Sequence, residues 1–319
     1  MKTQINRRGF VKSSLLASAA IPFGLHSQSQ PAPGASASQP EGTMPTGRIG
    51  DQEFSRLMLG GNLIGGYAHA RDLPYVATLM RRYNTEAKIR ETLELAETQG
   101  INAINTWVMQ ENATLFAHWK NGGRMKWFAQ VRLDSGGGYS QIQKAIDQGA
   151  AGVHITGDTA ESLLTRGKFE IVGETIQLIK SRKRIAGVAA HDLRVMIECE
   201  NLKLNADFYQ KTLHTHDYYT APREGESGAI GPHDNSWCDN PQAVVDFMAT
   251  VRKPWIAFKI LAAGAIPPRA AFPYAFNSGA DFILVGMFDW QVPENARLAR
   301  RIVGLVGKPE SQRTRPWFG

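Results

Sequence analysis

Eight short apolar runs, each followed by an amphipathic stretch, fill the chain from Arg56 onward. Strict alternation of strand and helix implies a parallel sheet. Eight such units in about 250 residues are typical of a closed (β/α)8 barrel, the TIM barrel. We therefore predict a single α/β barrel domain over residues 51–319. The predicted strands are Arg56–Leu59, Ala103–Trp107, Trp127–Leu133, Gly152–Thr156, Ile185–His191, Phe208–His214, Trp255–Leu261 and Asp281–Val285.

The alternative architecture is an open, doubly wound sheet, which would carry a glycine fingerprint after an early strand. The glycine-rich stretch at residues 60–66, GGNLIGG, lacks the G-x-G-x-x-G spacing. No acidic residue follows it at the distance needed to bind a ribose. This pattern favours the closed barrel.

Composition and charge limit the classes of partner. The 319 residues are 43% hydrophobic and 20% charged, which is ordinary for a globular protein. The net charge is +7, but four cations and no acid fall in the first 37 residues. The remaining imbalance is small, so we expect no nucleic-acid partner. No apolar run reaches the roughly 18 residues of a membrane span.

The amino-terminal segment has the features of an export signal. Residues 6–12, NRRGFVK, resemble the twin-arginine motif, a weakly apolar run follows, and Ala35-Ser36-Ala37 fits an A-x-A cleavage site. We expect a signal peptide over residues 1–37 and a flexible linker over residues 38–50. The expected partner is the twin-arginine export machinery, and the expected location is the periplasm or another extracytoplasmic compartment.

Polar side chains collect at the predicted strand ends, where barrels carry their chemistry. Four of the eight histidines lie at the ends of three consecutive strands. Histidines on adjacent parallel strands are about 5 Å apart at the backbone, so they can share one divalent metal ion with a carboxylate. Such a metal would activate water or polarise a carbonyl. The predicted ligands are His154, His191, His214, His216, Asp217 and Asp289.

Lys259 suggests a second chemistry. It alternates with Phe258 and Ile260 in the seventh predicted strand, so we expect it to face the barrel interior. Low dielectric and neighbouring cations favour the neutral amine, which can form a Schiff base with a carbonyl substrate. The alternative roles are an ion pair with a carboxylate and the binding of an anion, such as a substrate oxyanion.

Loops and glycines complete the predicted rim. The long segment His214–Asp239 is typical of a lid or substrate platform, and it carries Tyr218, Tyr219, His233, Asp234 and Trp237. Gly264 and Gly286 follow the last two strands, where barrels bind phosphate groups through backbone N–H groups, and they are candidate cofactor-binding residues. Secondary candidates in the first long loop are His69, Arg71 and Asp72.

The stretches RLMLGG (residues 56–61) and LAETQGINAINTW (residues 95–107) resemble the opening of the aldo-keto reductases. That family has a catalytic aspartate in a G-I-N-x-x-D-T-A pattern and a catalytic histidine at the end of the fourth strand. The resemblance implies a barrel, NADP-dependent reduction and a catalytic role for His154. Asn105 stands at the aspartate position and Arg132 at that of the family's lysine, so the catalytic tetrad is not retained.

These observations predict an exported barrel enzyme acting on a small polar substrate, for which a sugar derivative is one candidate. The preferred mechanism is metal-assisted acid/base chemistry of the hydrolase, lyase or isomerase type. An NADP-dependent oxidoreductase and a non-catalytic carbohydrate-binding barrel are the alternatives. The predicted catalytic residues are His154, His191, Lys259, Asn105 and Arg132.

Overall fold

Eight parallel strands close into a barrel in the computed structural model of the protein, as the alternation of strand and helix predicts. The structure describes residues 42–62, 64–69, 72–109, 112–133, 139–223, 233–308 and 311–319. The predicted signal peptide lies outside these residues. The strands are β1 (Thr46–Ile49), β2 (Gln52–Ser55), β3 (Leu57–Gly60), β4 (Ala103–Trp107), β5 (Lys126–Val131), β6 (Gly152–Ile155), β7 (Ile185–Ala190), β8 (Phe208–Thr212), β9 (Trp255–Phe258) and β10 (Phe282–Gly286).

The barrel is formed by β3 to β10 in chain order, and β10 pairs with β3 to close it. Helices follow the strands and cover the outside of the barrel. They are α1 (Val76–Tyr83), α2 (Glu86–Thr98), α3 (Ala113–Lys120), α4 (Ser140–Asp147), α5 (Gly157–Thr165), α6 (Glu170–Ser181), α7 (Leu193–Asn201), α8 (Pro241–Thr250), α9 (Pro268–Asn277) and α10 (Val292–Val306). None of these helices is long and apolar enough to cross a membrane.

Helix α2 shows how the sequence sets these elements. Thr85 precedes it with an extended backbone, and its hydroxyl accepts a hydrogen bond from the N–H of Lys88, which caps the first turn. Ile89, Leu93 and Ala96 recur at helical spacing and are buried in the core between helices and barrel. In the other helices too, the apolar stripe determines which face packs on the sheet.

Several barrel strands end earlier than predicted. β9 stops at Phe258, three residues before the predicted end, and β8 stops at Thr212. Some side chains that the sequence pattern predicts on strands therefore lie in the loops after those strands. The residues affected are Arg132, His191, His214 and Lys259. Alternation along a strand does not determine where such side chains point, because the backbone has already left the sheet.

A short hairpin and an aromatic cluster close the amino-terminal end of the barrel. β1 pairs with β2, and Phe54 of β2 packs with Phe128 inside the barrel at a ring-centre distance of 4.7 Å. Ile49 is fully buried in the same cluster. The predicted flexible linker over residues 38–50 is therefore incorrect for Thr46–Ile49, whose side chains alternate between exposed and buried as in a half-buried strand.

The carboxy-terminal segment is held by one buried carboxylate. Asp281, at the start of β10, accepts hydrogen bonds from Arg313 at 2.9 Å and from the backbone N–H of Phe318 at 2.8 Å. A guanidinium nitrogen of Arg315 lies 3.5 Å from the same carboxylate, and Arg56 donates to the backbone carbonyl of Asp281. These arginines are buried, so the carboxylate offsets positive charge that water cannot reach.

Candidate functional site

Lys259 lies at the carboxyl end of the barrel strands, in the turn that directly follows β9. Phe258 is the inward-facing residue, since it packs against the cluster that fills the barrel. Lys259 leaves the strand with a left-handed backbone, at a φ of 57°. Its Nζ lies 3.9 Å from the centre of the Trp237 ring. The expected inward position on a strand is therefore wrong, and the turn determines where the amine points.

Three side chains form a hydrogen-bonded chain at this rim. Nζ of Lys259 is 2.6 Å from Nε2 of His69, and Nδ1 of His69 is 3.3 Å from Oδ1 of Asp234. Because Nδ1 donates its proton to the carboxylate, Nε2 presents a lone pair to the amine. The indole of Trp237 flanks the chain, with its ring centre 4.5 Å from that of His69. The loop that carries His69 and the loop that carries Asp234 and Trp237 thus meet beside the amine of Lys259.

Burial determines the charge of this chain. Burial lowers the pKa of Lys259 from 10.5 to about 7, although the carboxylates of Asp234 and Glu161 oppose the change. Burial also lowers the pKa of His69 to about 4, and the nearby cation of Lys259 adds to this effect. At neutral pH the imidazole is therefore uncharged and a large fraction of the lysine is the free amine, which is its nucleophilic form.

The backbone after β9 is strained. Lys259, Ala262 and Ala263 have left-handed φ angles of 57°, 44° and 54°. Each costs an L-residue about 1–2 kcal/mol, and such strain clusters at functional sites. The first of these residues carries the amine of the hydrogen-bonded chain. The strained backbone at Lys259 therefore sets the position of its amine.

Replacing Ala263 with glycine is expected to stabilise the protein by about 1 kcal/mol, because glycine adopts a left-handed conformation without steric cost. Ala265 has an ordinary helical backbone, at a φ of −74°, so Ala265→Gly is the matched control and is expected to destabilise slightly. Chemical denaturation measures both. A loss of stability in Ala263→Gly would contradict the strain at this turn.

Two predicted metal ligands hold a loop instead. In the buried ring of His214, Nδ1 donates to the carbonyl of Thr215 at 2.9 Å, and Nε2 accepts from the backbone N–H of Trp237 at 2.9 Å. Nε2 of His216 donates to the carbonyl of Cys238 at 2.7 Å. His214 has no lone pair left for a metal ion in this arrangement. The two histidines hold the backbone at Trp237 and Cys238, and the indole of Trp237 flanks the amine of Lys259.

His154 lies in a layer inside the barrel and is fully buried. The amide nitrogen of Asn105 is 3.0 Å from Nε2 of His154 and 2.7 Å from Oε1 of Gln210. Burial lowers the pKa of His154 to about 4, so the ring is uncharged at neutral pH. Asn105 and His154 thus belong to a polar layer sealed from solvent, and not to the reactive rim predicted for them.

The other predicted ligands and catalytic groups lie apart. Asp289 accepts a hydrogen bond from Lys88 at 3.0 Å, Asp217 is exposed, and Arg132 pairs with Asp158 at 2.7 Å on the surface. Within the described ranges, no three histidine, cysteine, aspartate or glutamate side chains are grouped so that they could hold a metal ion. The described residues therefore do not bring the predicted metal site together.

The two candidate cofactor-binding glycines lie after β9 and at the end of β10. Gly264 closes the strained turn with a φ of 82°, and Gly286 pairs in register with Gly60 at the rim. A Cβ on Gly60 would lie 2.8 Å from the backbone nitrogen of Gly286, so these two strands approach too closely for a side chain there. This close approach accounts for the glycine at position 60.

His191 lies at the same end of the barrel, directly after β7, and is paired with a residue that the sequence analysis missed. Its Nδ1 is 3.2 Å from Oε1 of Glu161, in α5. Glu161 was missed because it lies in a helix and carries no motif. The only signal is its place in the first of the two helices between β6 and β7, which lets it reach the end of β7.

No protein-family model matches the chain, and no curated protein matches its sequence. Among solved structures, the chain is similar to the aldo-keto reductase AKR11C1 from Bacillus halodurans in its holo form. The two are 13% identical with a TM-score of 0.54, over 85% of this chain and 99% of that one. Gox0644 in its apo form is 8% identical with a TM-score of 0.51, over 86% and 99% of the two chains. At these identities the likeness establishes the fold alone, which is a (β/α)8 barrel.

Proposed function

We propose that this barrel is an enzyme that acts on a small polar carbonyl compound through a Schiff base on Lys259, with chemistry of the lyase or isomerase type. One observation carries the proposal: the buried amine, with its pKa lowered to about 7, lies 2.6 Å from the uncharged imidazole of His69. A neutral lysine beside a proton acceptor is the arrangement that carbonyl addition requires.

The proposed step uses groups that are present at the rim. The lone pair of Nζ attacks the carbonyl carbon, and the C=O π pair moves to oxygen. His69 takes a proton from the amine on Nε2 and gives it to the oxygen, which yields a neutral carbinolamine. A second proton, taken from solvent, then lets the oxygen leave as water while the nitrogen lone pair forms the C=N bond. Asp234 holds the opposite ring nitrogen and stabilises the transient imidazolium. The product is an iminium, which withdraws electrons from the neighbouring carbon.

The arrangement of the rim favours this chemistry over the metal-assisted mechanism that the sequence suggests. Three of the four histidines predicted as ligands form hydrogen bonds that hold the loop or the barrel layer, namely His154, His214 and His216. By contrast, Lys259, His69 and Asp234 converge. The aromatic face of Trp237 beside the amine suits a small polar substrate with apolar ring or chain atoms.

Borohydride trapping tests the proposal directly. The protein is incubated separately with dihydroxyacetone, pyruvate and glyceraldehyde, reduced, and analysed by intact mass and peptide mapping. We expect a reduced adduct on Lys259, with a trapping rate that rises as pH increases through about 7, because the free amine forms over that range. Lys144 is an exposed lysine, so Lys144→Gln is the matched control and should trap normally. The absence of an adduct on Lys259 with all three probes would refute the proposal.

We further propose export by the twin-arginine route, supported by the motif at residues 6–12. Fusion of residues 1–45 to a reporter that is active only after export of a folded protein tests it. Replacing Arg7 and Arg8 with lysine should abolish export, and export that persists in this variant would count against the twin-arginine route.

A further inference from the structure

His191 and Glu161 form a histidine–carboxylate pair at the carboxyl end of the barrel. Oε1 of Glu161 accepts hydrogen bonds from the backbone N–H of His191 at 2.5 Å and from that of Asp192 at 2.9 Å. The same oxygen lies 3.2 Å from Nδ1 of His191. Three contacts therefore fix one carboxylate oxygen against one imidazole. Because Nδ1 donates to Glu161, the lone pair of the ring is on Nε2.

Nε2 of His191 is available for a substrate. It has no hydrogen-bond partner in the part of the chain that the structure describes, in contrast to both ring nitrogens of His214. The side chain of His191 keeps 21% of its surface exposed, so solvent and small molecules can reach it.

The imidazole of His191 packs against Gly157, where a side chain would not fit. A Cβ on Gly157, the first residue of α5, would lie 2.9 Å from Nδ1 and 3.0 Å from Cε1 of His191. Real Cβ atoms essentially never approach below about 3 Å, so any other residue here would push the ring away. The absence of a side chain at position 157 is thus a condition for the observed orientation of the imidazole.

His191 and Lys259 border the same space. β7 and β9 are separated only by β8 in the barrel, and both side chains follow directly after their strands. The ring of His191 lies 5.5 Å, centre to centre, from that of Phe258, the residue before Lys259. The carboxylate of Glu161 also raises the pKa of Lys259 through space. The amine and the imidazole are therefore close enough to act on one small molecule.

His69 and His191 differ in which of their ring nitrogens are free. His69 has Nε2 against the amine of Lys259 and Nδ1 against Asp234, so both of its nitrogens are engaged at the point of carbonyl addition. The iminium formed on Lys259 needs a separate base for the next step, because its conversion moves a proton at carbon. His191 has a nitrogen without a partner in the described structure and a carboxylate behind its ring, which fits that role.

We propose that His191, oriented by Glu161, removes a proton from the carbon next to the iminium carbon. This inference rests on the proposed function of Lys259. The C–H electron pair forms the C=C bond of an enamine, the C=N π pair moves to Nζ, and the proton is held on Nε2 of His191. The step is redox-neutral, needs no co-reactant and is reversed when His191 returns the proton. It assigns the substrate class as aldehydes or ketones with a hydrogen on the carbon next to the carbonyl.

Deuterium exchange separates this step from formation of the Schiff base. Acetone, hydroxyacetone and pyruvate are incubated with the protein in D2O, and loss of the proton signal next to the carbonyl is followed by NMR. We expect exchange with the natural protein. In His191→Gln, we expect normal borohydride trapping on Lys259 and an exchange rate at least about 100-fold lower. Glu161 orients His191, and loss of its charge would only lower the pKa of Lys259 further, so Glu161→Gln should lower exchange about 10-fold while trapping is kept.

Two further variants make the test specific. Glu170→Gln makes the same chemical change at an exposed position of α6 and should leave both trapping and exchange unchanged. Gly157→Ala keeps the imidazole but displaces its ring, and it should reduce exchange with trapping retained. This variant replaces His191→Gln if the latter does not fold.

The outcomes distinguish the two proposals. Trapping without exchange in the natural protein, or exchange at the natural rate in both His191→Gln and Gly157→Ala, would overturn the role of His191 and leave the Schiff base on Lys259 standing. Absence of trapping in the natural protein would refute the proposed function and this inference with it. Exchange that falls together with trapping in His191→Gln would show a general disturbance of the rim, which also overturns the assignment.

Discussion

Lys259→Met is expected to abolish borohydride trapping completely and to lower any turnover that depends on the Schiff base by at least about 1,000-fold. Methionine has a similar length and fits apolar surroundings, so the substitution removes the reacting nitrogen with little change in packing. The expected loss is large because no other lysine reaches His69 in the described structure. Intact mass after reduction and steady-state assays on substrates found by trapping measure the two effects.

The control for this variant is Lys144→Gln, which removes an exposed lysine. It should trap as the natural protein does. An adduct that persists in Lys259→Met would place the reacting amine elsewhere, and the peptide map would identify the position. Lys211 is the residue to inspect first in that case, because it is fully buried and burial lowers its pKa.

Asp281→Asn is expected to destabilise the protein by about 3–5 kcal/mol, which corresponds to a fall in melting temperature of roughly 10 °C. The carboxylate is fully buried and is the acidic partner of Arg313 and Arg315. A neutral amide would leave these guanidinium groups without a counter-charge in a region that water does not enter. Its NH2 group would also face donors, including the backbone N–H of Trp255.

Thermal unfolding followed by circular dichroism measures the effect of Asp281→Asn. Asp246→Asn makes the same change at an exposed position of α8 and should alter stability by less than about 0.5 kcal/mol. If Asp281→Asn were as stable as this control, the arginines would be neutralised by something other than Asp281. The carboxy-terminal segment would then not depend on that carboxylate.

The number and order of the barrel strands follow from the sequence, because helix and strand have different periods in the placement of apolar residues. Runs such as Ala103–Trp107 are buried on both faces, and α2 between two of these runs carries its apolar residues on one face. These patterns are local. They determine a parallel sheet of eight strands, and the handedness of the connections then leaves few topologies.

Which side chains meet at the rim depends on where each strand ends and on which residues pair, and the local sequence pattern contains neither. One is the end of each strand: β9 ends at Phe258, and the left-handed turn at Lys259, not alternation, aims the amine. Glycine and asparagine are the usual signals of such a turn, and neither is present at that position.

The other is the choice of partners. His69 and Asp234 lie 165 residues apart in loops that have no periodicity, and Glu161 reaches His191 from a helix. The local pattern of apolar residues is enough to predict which elements form and that the strand ends share one rim. Which histidines keep a free nitrogen at the rim and which hold loops depends on the closed barrel, because the atoms around each ring come from segments far away in the sequence.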